Sequence, residues 1–271
     1  RGFMQAADKP LHQSQVAMSK HFFFRYSAAL MAFFISAINA AGDANPKYAS
    51  STVPLSRDHA YFQSPAHPAP DYWALSPYYV PQRNEYDCSV AAVAAVVNAL
   101  TRTNRNLTDS DRNATIASLL EAVKAASWGQ RVQKGGVDGQ VGLTLDQLAE
   151  VLKEALRLHG LDSPKIDTVR VTADNSATRE LWRSALAANE ASANDMILIH
   201  FTQDTLTGAG GGPYPHISPI AAYDSNTGRA LVLDVDRDYY EPYWSPTDLI
   251  LKAMAVKTTL YGHGGWIRVS R

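Results

Sequence analysis

The stretch that most restricts how this chain can fold is SVAAVAAVVNAL, residues 89–100. Apart from Ser89, Asn98 and the closing leucine it is alanine and valine throughout. A run of this length with no polar face reads as a helix buried on every side. Its small side chains let neighbouring elements come close to the helix backbone. The single cysteine, Cys88, stands immediately before the run, and Asp87 is placed to act as the helix N-cap. In a first helical turn the unpaired N–H groups and the helix dipole favour a thiolate. Cys88 is thus a candidate nucleophile. An isolated cysteine would otherwise read as an inert buried thiol, and the residues that decide between the two lie far downstream.

The 271 residues leave room for one catalytic domain with a sizeable core. A net charge of −1 gives no reason to expect a nucleic-acid partner or a polybasic membrane anchor. One cysteine excludes internal disulfides and a cysteine-rich metal cluster within these residues. Residues 1–41 read as a leader, of which 1–17 carry no pattern and read as upstream sequence. Lys20, His21 and Arg25 precede the apolar YSAALMAFFISAINAA of residues 26–41, and polar Gly42-Asp43 follows. A basic flank, an apolar stretch too short to span comfortably and small residues at the exit form the layout of a secretory signal. The expectation is cleavage after Ala40 or Ala41 and an exported chain, periplasmic in a bacterium, with no stable span left. The alternative is an uncleaved leader that anchors the protein in the membrane.

Residues 42–81 are rich in proline and tyrosine (SPAHPAPDYWALSPYYVP at 64–81) and read as an extended, helix-free arm pinned by Tyr72, Trp73, Tyr78 and Tyr79. His59 and His67 in the arm read as locally bonded. The catalytic domain is expected over 82–271. Ile116, Leu119, Leu120 and Val123 repeat at helical spacing, and Thr144 caps an amphipathic helix that ends at Gly160, with His159 in its last turn. The glycine-rich 135–142 segment lacks the GK[ST] of a phosphate loop and reads as a mobile link. Strands are expected at 165–171, 196–201 and 266–269, with a helix at 177–189 between the first two. ISPIAAY (217–223) and RALVLDV (229–235) bracket the turn at 224–228 as a β-hairpin. Helices first and an antiparallel sheet second argue for α+β, a helical lobe packed on a sheet lobe.

His216 lies ten residues before the turn centre near Asn226, and Asp234 eight after it. Folding back at that turn sets the two at nearly one level, where cross-strand and diagonal Cβ atoms are roughly 5–8 Å apart. A carboxylate so placed can hold the imidazole tautomer while the other ring nitrogen faces a thiol. Gln82, six residues before Cys88, could add its side-chain NH₂ to the Cys88 backbone N–H as an oxyanion hole.

Three blocks carry a family resemblance: Gln82…Cys88 with the helix ending Asn98-Ala99-Leu100, GLTLDQLAEVL at 142–152, and HISPIAAYDSNTGRALVLDVDRDYYEPYW at 216–244. Over roughly Tyr79 to Arg271 the chain resembles the phytochelatin synthase family, cysteine enzymes of papain-like fold that act on glutathione. The resemblance implies Cys88 as nucleophile, His216 as general base and acid, Asp234 as orienting carboxylate and Gln82 as oxyanion donor. It places Arg237, Tyr240 and Trp244 near the substrate cleft. It implies glutathione or a related thiol peptide as partner, no enzyme-held metal or other cofactor, metal ions entering only as glutathione thiolates, and room for a homodimer. Ser89 and Pro215 stand where the family has glycine, Asp87 where it has an aromatic, and His263-Gly264 where an Arg precedes the glycine. With no cysteine-rich segment in the sequence, the chain looks like the short prokaryotic form, in which hydrolysis outweighs phytochelatin synthesis.

Two other readings share some of these residues. Gln82 and Asp87-Cys88 before a small apolar helix also suit a papain-like peptidase of the double-glycine-leader type. The departures at Ser89, Pro215 and His263 would suit an inactive protein that binds thiol peptides or metal thiolates. A metal site built from His200, His216 and His263 has no recognised ligand spacing, and His200 within MILIHF reads as a bonded strand residue.

Overall fold

A computed structural model describes residues 47–102, 108 and 112–271. The leader expected over 1–41, its cleavage and its anchoring alternative lie outside the described residues. In chain order the elements are β1 (Val53–Pro54), α1 (Pro70–Leu75), α2 (Cys88–Arg102), α3 (Ile116–Ala122), α4 (Trp128–Arg131), α5 (Leu145–Leu158), β2 (Lys165–Arg170), α6 (Ser176–Glu190), β3 (Asp195–Thr202), α7 (Gln203–Thr207), β4 (Pro215–Asp224), β5 (Arg229–Val232), β6 (Tyr243–Pro246), α8 (Thr247–Ala255), β7 (Lys257–Thr258), β8 (Gly262–His263) and β9 (Gly265–Ser270). The main sheet runs β1-β6-β5-β4-β3-β9-β2 with every pairing antiparallel. The fold is α+β, as the order of elements in the sequence implies.

Helices cover the sheet on both faces, so its central strands are buried throughout. All eight residues of β3 are buried. Met196 and Leu198 join the core formed with α2 and α5, while Ile197, Ile199 and Phe201 join the core under α6 and α8. This is the period of two of an extended strand, hidden from hydropathy because both faces are apolar. Helix α2 lies against β4, with every residue from Ser89 to Thr101 buried. Its one polar break has a partner: Asn98 Nδ2 donates to the Ala114 carbonyl and Asn98 Oδ1 accepts from the Ala114 amide, both at 2.8 Å. Removing a partner from a buried pair of this kind costs about 1–3 kcal/mol. Thr144 caps α5 as its sequence suggests, in a reciprocal box with Gln147.

The arm differs from its expectation. Strand β1 pairs with β6, and α1 is a helix, with Pro70 in its first turn, where the missing N–H has no helical partner to lose. Ala69, Ala74 and Leu75 are buried in the same core as α2. Tyr61 and Phe62 pack on Trp244 here, while Trp73 stays 59% exposed.

Asp71 of α1 is fully buried. Asn189 Nδ2 of α6 donates to Asp71 Oδ2, and no donor reaches Asp71 Oδ1 or Asn189 Oδ1. Burial, then the charges of Glu190 and Asp195, push this carboxyl up to about 10 against the pull of Asn189 and Arg268. The protonated acid has a hydrogen to offer Asn189 Oδ1. Because the folded pKa is raised, the stability tied to Asp71 is complete below its unfolded value, about 3.9, and drains away as pH climbs toward the folded one. Asp71→Asn keeps a donor and an acceptor without a charge to bury. It should raise stability at pH 9 by at least ~2 kcal/mol and lose that advantage below pH 4, as read by urea titration. Parallel pH profiles for both proteins would refute the protonated acid.

Candidate active site

Cys88 is the first residue of α2, and its thiol opens on a cleft of about 910 Å³ that Gln82, His200, Gln203 and His216 also line. The loop before it is held by Asp87, which stands at the N-cap position with its carbonyl accepting from the Val90 and Ala91 amides at 2.9 and 3.2 Å, but whose side chain does not cap the first turn. The fully buried Asp87 carboxylate turns backward, accepting from Arg83 N and Nε at 2.8 Å each and from Asn84 N at 3.3 Å. The tight backward turn over 83–87 wins over the helix amides because it brings a guanidinium as well as two N–H groups to one carboxylate. Gln82 is fixed through its own amide, which donates to the Val235 carbonyl at 2.8 Å, so its side chain stands at the cleft with Oε1 buried and without a donor.

The hairpin expected at 224–228 forms. Asp224 accepts from the Asn226 and Thr227 amides and the Thr227 hydroxyl, and Gly228 takes a positive φ of 66°. Register pairs Ile220 with Val232, which sets Asp234 one diagonal step from His216, and His216 Nε2 donates to Asp234 Oδ1 at 2.8 Å. The other ring nitrogen, Nδ1, is left for the thiol, which lines the same cleft and helps to raise the imidazole's pKa.

Electrostatics bind this pair tightly. Burial works to lower the His216 pKa, yet the Asp234 carboxylate and the Cys88 sulfur outweigh it and hold the imidazole well above its usual range. Burial likewise opposes ionisation of Asp234, but His216, Gln203 and the Asp236 amide keep its carboxyl below the usual carboxylate range. Two of its donors were not singled out from the sequence. Gln203 Nε2 reaches both carboxylate oxygens at 3.1 and 3.0 Å, and Tyr243 Oη donates to Oδ2 at 2.8 Å. Burial, then the Asp234 charge, raises the Tyr243 phenol well above its normal pKa, so it remains a donor. Nothing in their spacing marks these residues, since both reach Asp234 from other elements.

The residues assigned to the substrate cleft by resemblance separate. Tyr240 lines the cleft. Arg237 lies in an adjoining concavity, its guanidinium 5.2 Å from the Tyr79 ring. Trp244 does not belong to the cleft: it is 1% exposed, packed on Tyr61 and Phe62, and its Nε1 donates to the Asp58 carbonyl at 3.0 Å. Alternation along β6 turns it to the core that holds the arm. Of the departures, Ser89 Oγ accepts from Trp128 Nε1 at 2.9 Å, Pro215 opens β4 opposite Thr202, and His263 Nδ1 bonds the Ala255 carbonyl at 2.8 Å. Gly264 remains essential beside it, because a Cβ there would lie 2.0 Å from the His200 carbonyl oxygen.

His200 is a buried wall residue whose Nε2 donates to the Leu143 carbonyl at 3.0 Å. Burial lowers its pKa to about 4, so the ring is neutral. Among the described residues no group of three or more His, Cys, Asp and Glu side chains could hold a metal ion, and no helix is long and apolar enough to cross a membrane.

Comparison with curated proteins returns no match. The family model for phytochelatin synthase matches residues 55–263, a span that takes in the arm after β1, α2 and the whole His216–Asp234 hairpin. The chain belongs to the phytochelatin synthase family.

Proposed function

We propose that the protein is a cysteine-dependent glutathione γ-glutamylcysteinyltransferase whose main reaction is hydrolysis. The observation that carries this reading is the buried His216–Asp234 pair beside Cys88 at the mouth of α2. A sulfur at a helix N-terminus, an imidazole and a carboxylate in one line are what a papain-like acyl transfer needs. The Cys88 thiolate attacks the carbonyl of the Cys–Gly amide of glutathione. Gln82 and the Cys88 N–H stabilise the oxyanion, a donor of this kind contributing ~10²–10³ in rate. His216 gives its proton to the nitrogen of the departing glycine as the C–N bond breaks, leaving a γ-glutamylcysteinyl thioester. Water then attacks the thioester, or the amine of a second glutathione does so and lengthens the peptide. The nucleophile's proton passes through His216 to restore the thiol. Asp234 holds the ring throughout with Nδ1 toward sulfur. Metal ions belong to this scheme as glutathione thiolates, that is, as substrate. An envelope location is part of the proposal and rests on the leader-like sequence around residues 20–43.

Incubating the protein with glutathione, with and without cadmium, and identifying products by mass is the direct test. The expected products are glycine and γ-glutamylcysteine, with a smaller yield of lengthened peptide. A glycine-glycine leader peptide offered in the same tube should survive. Its cleavage, with glutathione intact, would overturn the reading in favour of the leader peptidase.

A further inference from the structure

The cleft at Cys88 carries the charge of an acid and none of a base. Glu85, Asp236 and Asp238 line it, and among the described residues no lysine or arginine does. The cations that flank these carboxylates in sequence are turned elsewhere. Arg83 Nε holds the Asp87 carboxylate at 2.8 Å, and the Arg237 guanidinium lies 5.2 Å from the Tyr79 ring centre, lining the adjoining concavity. A tight turn, in which the Asp236 carbonyl accepts from the Tyr239 and Tyr240 amides at 3.1 and 2.9 Å, gives Asp236 and Asp238 to the cleft and Arg237 to its neighbour.

His200 adds an acceptor to the same wall. Its ring is 3% exposed, its Nε2 is used on the Leu143 carbonyl, and Nδ1 has no donor among the described residues. Tyr214 and Tyr239 stand largely exposed at the cleft, and aromatic faces attract cations. The side of the cleft matters as well. His216 hands its proton to the departing amine, so the leaving group lies toward His216, and the Asp236 carboxyl is near enough to feel the His216 charge. Burial raises that carboxyl above the usual carboxylate range, so it gains from a cation placed beside it. Glutathione puts the opposite there: its glycine carboxylate leaves past Asp236 and Asp238, and like charges brought together disfavour binding.

We infer that the preferred substrate of this cleft is a γ-glutamylcysteinyl peptide whose departing amine is cationic, its terminal carboxyl joined as an amide to an alkyl diamine. The inference rests on the acyl enzyme proposed above. The bonds are the same: sulfur joins the cysteinyl carbonyl carbon, the C–N bond breaks, His216 protonates the nitrogen, and water frees γ-glutamylcysteine. Only the charge on the departing group differs, and it answers Asp236 and Asp238 instead of opposing them.

The test compares three substrates that share one acyl part: glutathione, its glycine primary amide, and its glycine amide with diaminobutane. Their departing groups end in a negative, a neutral and a positive charge, and γ-glutamylcysteine, read by mass, is the product common to all. kcat/KM should rise in that order, by at least about tenfold from first to last, and added salt should narrow the gap. Asp238→Asn, an exposed change, should reduce the gap. Asp236→Asn/Asp238→Asn should remove most of it, raising kcat/KM for glutathione and lowering it for the diamine amide. Glutathione cleaved as fast as the diamine amide, or a gap that persists in the folded double variant, overturns the inference and leaves the acyl enzyme standing. No γ-glutamylcysteine from any of the three overturns the acyl enzyme, and the inference with it.

Discussion

Cys88→Ala protein should fold normally and release no glycine from glutathione. The substitution suits the place: α2 is already an alanine-rich helix, and Cys88 is its half-buried first residue, so truncation removes one sulfur from a cleft wall without opening the core. Stability should change by no more than about 1 kcal/mol, the scale of a single partly exposed group. Turnover should fall by at least ~10³-fold, because Gln82 and the Cys88 N–H can still bind an oxyanion but no nucleophile remains to form the thioester. Mass detection of glycine together with circular dichroism separates the two effects. Undiminished glycine release from a folded variant would end the assignment of Cys88.

Asp234→Asn should impair both stability and activity, though the exchange is nearly isosteric. Every neighbour of this carboxylate is a donor: His216 Nε2, Gln203 Nε2, Tyr243 Oη and the Asp236 amide. However an asparagine turns, its NH₂ faces at least one of these N–H or O–H groups, so at least one buried donor loses its acceptor. Each such loss costs about 1–3 kcal/mol. The charge effect has its own pH signature. The raised His216 pKa adds stability below the unfolded imidazole value, about 6.5, and this is lost as pH rises through the folded value. The lowered Asp234 pKa adds stability above the unfolded carboxyl value, about 3.9, and this is lost as pH falls through the folded one. Between roughly pH 4 and 6.5 both contributions are complete, and the wild type's advantage over Asp234→Asn should be greatest there. Turnover should drop ~10²–10⁴-fold, the range of a general acid–base group deprived of its orientation. Urea titration across pH and glycine release at neutral pH measure the two consequences. A variant with the wild-type pH–stability profile and full turnover would mean that the pair neither carries charge nor orients the ring.

Local signals in the chain were sufficient for several parts of the fold. The alanine–valine run at 89–100, the Thr144–Gln147 box and the Asp224–Gly228 turn each act within a few residues, so periodicity, caps and turn chemistry reveal them directly. The His216–Asp234 pair follows from the same logic, since a hairpin converts counting along the chain into distance across it. The Asp87 side chain and the arm depart from their local preferences for one reason. Side-chain capping by Asp87, which does take the N-cap position, and prolines as helix breakers are local preferences, and each gave way to a specific partner: Arg83 in one case, a proline-first helix docked on the core in the other. Trp244 was assigned by resemblance to the cleft, and the alternation of β6 turned it inward.

By itself, the sequence determined the buried helix with cysteine at its mouth, the hairpin that joins imidazole to carboxylate, and the α+β class. Only the tertiary structure decided that Cys88 opens on the same cleft as His216 and that Gln203 and Tyr243 complete the shell around Asp234. Those meetings depend on the order β1-β6-β5-β4-β3-β9-β2, in which the first strand lies at one edge and the last lies between the third and the second. Strand order of that kind is set by which apolar faces bury one another over the whole chain, a global balance that no short stretch of residues carries.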